Sequence, residues 1–262
     1  MPLTHDQERR YARHLIMPQI GRAGQERLLA SRVLVIGAGG LGSPVLTYLA
    51  ACGVGTLGVM DDDVVERSNL SRQILHETAD IGRAKVFSAE DRITELNPDC
   101  IVHPYKRIFD AHAADELLPH YDLVIDGTDN FATRYIINHA CCHHQMPWIH
   151  GAVRGMEGYI THFNPAHSDT PCYQCFVPQP PHEHENDCQT RGVLGAVVGV
   201  IGTMMAVEAI KILLHLNPHE IGILHRYDGL SGIWKRSHIV RDPECMECGT
   251  HSTVTDFAKL RG

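Results

Sequence analysis

The chain has 262 residues, of which 44% are hydrophobic, enough to bury the core of one large α/β domain and to exclude a disordered chain. A formal net charge of −8 excludes a general nucleic-acid binder, so any anion site must be built from a few placed cations. The polar opening MPLTHDQERR (1–10) lacks the apolar core of a signal peptide, which implies a cytoplasmic protein; there, nine cysteines point to metal or thiol chemistry rather than disulfides.

Residues 5–30 predict an amphipathic, charge-rich helical lead-in, broken near Pro18 and Gly21. The apolar, β-branched run RVLVI (32–36) then meets a glycine-rich turn and a helix over 43–52, and residues 55–63 form a second strand that ends in acids. Helices near 83–96 and 110–119 alternate with strands at Ile101-Val102 and over 121–126. This order predicts a Rossmann-like, doubly wound, mostly parallel sheet. Beyond residue 148 short β-like runs (148–150, 158–163, 221–225) form a C-terminal antiparallel extension around the apolar run Val193–Val207. That run is short of a membrane span, is interrupted by glycines and leads into Glu208 and Lys211, so it predicts a buried helix and no membrane. Residues 176–187, rich in proline, histidine and acids, predict a surface loop. No repeat or linker divides the chain, which predicts a single domain over 1–262 with a lead-in (5–30), a nucleotide-binding core (31–150) and a zinc-pinned part (151–250).

The turn Gly37-Ala38-Gly39-Gly40-Leu41-Gly42 fits a dinucleotide-type fingerprint, following a strand and preceding a helix. Its glycines allow a tight turn and close approach to phosphates at a helix N-terminus. Asp61 lies about 20 residues on, where an acid binds a ribose hydroxyl. An NAD-dependent oxidoreductase would need no more than this. The stretch SNLSRQ (68–73), with Arg72, and GRAK (82–85), with Lys85, add cations suited to a triphosphate whose charge shifts to pyrophosphate. Asp129, in DGTDN (126–130) at the end of an apolar strand, suits a Mg²⁺ ligand. Each is ordinary surface charge when taken singly.

Cys172 and Cys175, with Cys245 and Cys248, make two C-x-x-C pairs whose four thiolates suit a closed, structural Zn²⁺ site, a redox pair or disulfides being the alternatives. Cys52, Cys100, Cys141 and Cys142 read as small core residues, and His182 and His184 as solvated loop residues. Cys188 follows the mobile-looking loop and precedes a helix N-terminus, a setting for a reactive thiol as much as for a bystander.

The chain resembles, nearly end to end, the ThiF/MoeB/HesA family, bacterial relatives of the ubiquitin-activating enzymes. Carrying the match are RYAR (10–13), the glycine loop, SNLSRQ (68–73), TDN (128–130), the two C-x-x-C pairs, GVIGT (199–203) and EAIK (208–211). The resemblance implies a homodimer that uses Mg-ATP to adenylate the C-terminal glycine of a small ubiquitin-like sulfur carrier protein ending in Gly-Gly, releasing pyrophosphate. It assigns Gly40, Asp61, Asn69, Arg72, Lys85, Asp129 and Asn130 to the ATP and magnesium site, and Arg13 to the partner subunit's site. With no rhodanese domain, it implies a separate sulfur donor. NDCQTRGV (186–193) with YDGLSGIW (227–234) is similar to the thiamin-pathway enzyme, in which the matching cysteine, here Cys188, links covalently to the carrier. RGMEG (154–158) is more similar to the molybdopterin-synthase adenylyltransferase, the alternative pathway. A scaffold that kept the fold and lost the chemistry is the third reading, against which the intact Arg13, Arg72, Lys85 and Asp129 set argues.

Overall fold

A computed structural model describes residues 2–179, 192–216 and 220–250. The lead-in forms α1 (His5–Arg10), α2 (Ala12–Leu15) and α3 (Gly21–Ala30), with a turn where Pro18 was expected to interrupt it. Thr4 caps α1, its hydroxyl accepting from the Gln7 amide while the Gln7 side chain accepts from Thr4 N.

One eight-stranded sheet follows, made of β1 (Arg32–Ile36), β2 (Thr56–Met60), β3 (Ile101–Tyr105), β4 (Leu123–Asp126), β5 (Trp148–Arg154), β6 (Glu157–Phe163), β7 (Ile223–Asp228) and β8 (Ile233–His238). Their spatial order is β3-β2-β1-β4-β5-β6-β7-β8, parallel from β3 to β5 and antiparallel from β5 to β8. The expected parallel sheet and antiparallel extension are both present, and β8 is a strand the sequence reading did not foresee.

Helices cover both faces: α4 (Gly42–Cys52), α5 (Lys85–Leu96), α6 (Ala111–Leu117), α7 (Phe131–His144), the single turn α8 (Tyr173–Phe176) and α9 (Gly195–Leu213). Strand alternation sends Val33 and Val35 to a core shared with Leu46, Ile93, Ile201 and Met205. Leu34 and Ile36 join the opposite core, with Leu117, Ile137, Trp148 and Phe163. Because both faces are covered, β1 reads as an unbroken apolar run rather than an alternating one.

The apolar helix α9 corrects an expectation. At 19 residues it is longer than the predicted run and passes the length and composition test for a membrane span, but half of the tested stretch is buried inside the protein. It packs on α4, β5 and β6. A side chain at Gly202 would collide with Pro44 of α4, so the glycine is what lets the two helices meet. The outer face leaves Val200 and Val207 exposed, so α9 is a half-buried helix.

The register places the site. Asp126 ends β4 opposite His150, but β5 continues to Arg154 before returning as β6. The β5–β6 hairpin therefore extends past the carboxyl end of β4.

Candidate functional site

Gly37 adopts φ +95, a conformation side chains disfavour, and a Cβ there would sit 2.9 Å from the Gly127 backbone. The glycine loop and the DGTDN turn thus touch, backbone to backbone. A Cβ at Gly42 would collide with the Gly37 carbonyl, which closes the turn into α4. Gly39 faces the Gln73 side chain, whose Oε1 is buried without a partner among the described residues. An open glycine cradle with an unanswered acceptor beside it fits a bound polar ligand.

Asp61, just past β2, accepts from Ala38 N through Oδ2 (2.8 Å) and from Asp63 N through Oδ1 (2.9 Å). Burial raises its carboxyl pKa, opposed chiefly by the charge of Lys85. The residue expected at a ribose therefore also buttresses the glycine loop. Lys85 opens α5 as expected, but its ammonium is almost wholly buried and lies 2.8 Å from Asp63 Oδ2, a partner that sequence reasoning missed. Arg72 lies against Gly40, with its Nη1 donating to Ser68 O at 3.1 Å. Asn69 is buried, and its Oδ1 accepts from Glu66 N at 3.0 Å, shaping the turn that presents Arg72. Beneath the loop, His76 bridges Ala38 O (2.9 Å) and Ser88 Oγ (2.8 Å), and Ser88 donates to Asp80 at 2.8 Å.

Asp129 and Asn130 are exposed at the start of α7, and Asn130 serves as its N-cap, accepting from Thr133 N at 2.9 Å. The turn that carries Asp129 is held by groups the sequence did not reveal. Thr128 donates its amide (2.9 Å) and hydroxyl (2.6 Å) to Asp126 Oδ1 and its carbonyl accepts from Arg134 at 2.9 Å. The fully buried Asp126 also faces His150 Nδ1 at 2.7 Å and Arg134 Nε at 3.8 Å. With Nδ1 against a carboxylate, that nitrogen carries the proton, and Nε2 accepts from the Tyr159 hydroxyl at 3.2 Å. Burial would raise the Asp126 carboxyl, but the bond from His150 and the charge of Arg134 hold it below the usual range; burial keeps His150 low and neutral. The one sequence clue was WIH (148–150) ending in a histidine at the register of DGTDN.

Arg13 is exposed on α2 at the other end of the sheet. Its neighbour Tyr11 is fully buried against Gly53 and receives a 2.9 Å hydrogen bond from Asn97, residues that follow the C-terminal ends of α4 and α5. Those ends lie at the amino edge of the strands, opposite the glycine loop. The structure does not bring Arg13 to the site of its own chain.

The four predicted thiols converge. Sγ–Sγ separations are 4.0 Å (Cys172–Cys175), 3.7 Å (Cys172–Cys245) and 3.4 Å (Cys175–Cys248). Tetrahedral sulfur ligands at Zn–S of about 2.3 Å would be about 3.8 Å apart, so the cluster fits zinc without rearrangement. Asp242 N points at Cys175 Sγ (3.4 Å), and the buried Glu247 bonds His139 of α7 at 3.0 Å. Cys100 and Cys141 are buried as expected, whereas Cys52 is only half-buried. Cys142 departs from that reading, for it is half-buried, hydrogen-bonds Cys172 and lines a cavity of about 240 Å³ beside the cluster. Cys188, His182 and His184 lie outside the described residues.

Known proteins resemble the chain in sequence and in fold. The family model described as "ThiF family" matches residues 11–248. The pig protein named adenylyltransferase and sulfurtransferase MOCS3 is 42% identical over 262 residues, covering 99% of this chain but 57% of its own length, so the chain spans little more than half of it. The SAMP-activating enzyme E1 of Haloferax volcanii is 44% identical over 241 residues, covering 92% of this chain and 88% of its own. Among solved structures, E. coli MccB with ATP shares the fold, with a TM-score of 0.79 at 23% identity over 92% of this chain and 73% of that one. The chain belongs to the ThiF family.

Proposed function

We propose that the chain uses ATP to adenylate the C-terminal glycine of a small ubiquitin-like sulfur carrier protein. The observation that carries this reading is the meeting of the glycine loop with the Asp129 turn, Arg72 and the Lys85–Asp63 pair at one sheet edge. A carboxylate oxygen of the carrier attacks the α-phosphorus, a phosphoric anhydride bond breaks, and its electron pair leaves on pyrophosphate. No proton moves, so catalysis is placement and charge compensation. Arg72 and Lys85 hold the phosphates, the glycine loop shapes their seat, and Asp129 provides the carboxylate for Mg²⁺. When bound, that ion neutralises charge gathering on the leaving pyrophosphate. Cys172, Cys175, Cys245 and Cys248 hold a structural Zn²⁺.

The active form is a homodimer in which Arg13 serves the second copy's site, a role suggested by its place at the opposite sheet edge. Cys188 acts after adenylation, in sulfur transfer from a separate donor, and the carrier is of the thiamin type. The RGMEG stretch (154–158) favours the molybdopterin-synthase small subunit as the second reading.

ATP–pyrophosphate exchange measured with each Gly-Gly carrier tests the reaction, and mass spectrometry of the carriers names the partner by the mass of AMP. Absence of exchange with every carrier would sink the proposal. Cys188→Ser should keep exchange and lose the covalent enzyme–carrier link. Mixing Arg13→Ala with Arg72→Ala chains should restore exchange that neither shows alone.

A further inference from the structure

The last turn of α7 reads Cys141-Cys142-His143-His144, a concentration of metal-philic side chains that the nucleotide site does not use. The structure separates them. Cys141 is buried in the core and Cys142 touches Cys172, while the rings of His143 and His144 stand edge-to-face, with centroids 5.0 Å apart at 87°. From α6, Asp115 places Oδ1 3.0 Å from His144 Nε2. One ligand atom from each of Asp115, His143 and His144 lies within 4.8 Å of the other two.

We propose that Asp115, His143 and His144 form a second metal site, separate from the thiol cluster, that takes a divalent transition-metal ion such as Zn²⁺. Two imidazoles and a carboxylate are a donor set for that class of ion, with water completing the shell. Bonds of about 2.0–2.2 Å place neighbouring tetrahedral donors about 3.3–3.5 Å apart, so the His144–Asp115 pair is already close to the required spacing. The wider separations close by rotation, since Asp115 and His143 are exposed. The carbonyl end of α7, closed by Gln145 at φ 52, adds a field that favours a cation at this turn. Binding needs neutral imidazoles and therefore weakens in acid. An ion held here sits one residue from Cys142, which touches the thiol cluster.

The test is zinc titration of the full chain, without a histidine tag and freed of metal, against a competing chromophoric chelator. The double variant His143→Ala/His144→Ala and Asp115→Asn are run in parallel. The wild type should bind one equivalent more than the double variant, and Asp115→Asn should hold that equivalent at least about tenfold more weakly, since removing a ligand costs no less than removing its outer partner. Cobalt substitution separates the sites, because ions at the thiols give thiolate charge-transfer absorption and ions here do not. The same charge-transfer band in all three proteins shows that the folded cluster survives the substitutions. Equal stoichiometry and affinity in the wild type and the double variant would overturn the proposal.

Discussion

Asp126, the last residue of β4, lies in register with His150 in the middle of the parallel β5, and a 2.7 Å bond joins their buried side chains. Asp126 also takes two bonds from Thr128, so one carboxylate fixes the turn that presents Asp129. Asp126→Asn leaves the Arg134 guanidinium buried without its counter-charge, and the expected loss is about 3 kcal/mol, read by urea denaturation. ATP–pyrophosphate exchange should fall with it. Tyr159→Phe removes the outermost bond of the chain and should cost about 1 kcal/mol. A fully stable Asp126→Asn protein would show that the network carries no weight.

Gly42→Ala should disable nucleotide binding in a chain that still folds. The added methyl meets the Gly37 carbonyl, so the loop must open away from the phosphates. Isothermal titration with ATP reads the loss, and circular dichroism checks the sheet. Unimpaired binding would mean that the loop yields more easily than its geometry implies.

Lys85 and Asp63 should separate in their effects. Lys85→Met removes a buried cation from the proposed phosphate site, with an expected fall in exchange on the order of 10², comparable to the loss of one transition-state donor. Asp63→Ala leaves the lysine in place and should cost far less. If the two variants fall equally, the ion pair rather than the lysine charge is what matters.

These groups differ in how far the sequence revealed them. Glycine spacing after an apolar strand exposed the loop, because backbone geometry leaves few residue choices there. Arg72 and Lys85 stood out only in combination with the loop and Asp129, since each alone is ordinary surface charge. The Asp126–His150–Tyr159 chain stayed hidden because its members come from β4, β5 and β6, and only strand register aligns them. Asp63 was hidden differently, as one of three consecutive acids of which only the structure shows which meets Lys85. The length of α9 was misjudged because the apolar run stops at Glu208, whereas the helix continues through Glu208 and Lys211, which pair with each other, to Leu213.

Metal removal should loosen the C-terminal segment. Without an ion the four sulfurs share only weak contacts, which leaves pairs such as Glu247–His139 to tie this segment to α7. Chelation, or Cys245→Ser, should lower the melting temperature by several degrees and expose residues 240–250 to protease. Unchanged proteolysis after verified zinc loss would rule out the pinning role.

Acid should weaken the fold through His162. It is buried beside Lys211, and burial first, then that positive charge, lowers its pKa from 6.5 to about 4. The unfolded chain therefore binds a proton that the folded chain refuses between those values, so the stability is complete above pH 6.5 and is lost as pH falls toward 4. The expected loss between pH 7 and 5 is about 2 kcal/mol, from 1.36 kcal/mol per unit. His162→Asn should flatten that slope in denaturant titrations at the two pH values.

Tyr173 sits between the clustered thiols Cys172 and Cys175, and its ring lies edge-on to His150 at 4.9 Å. The same side chain therefore belongs to the thiol cluster and to the roof of the network behind Asp129. Any coupling of binding through Tyr173 is reciprocal, for a ligand at one site that tightens binding at the other is itself tightened by the same factor. A chain filled with nucleotide should then hold zinc at the four thiols more tightly against a chelator at equilibrium than an empty one, so that its metal content becomes a record of its occupancy.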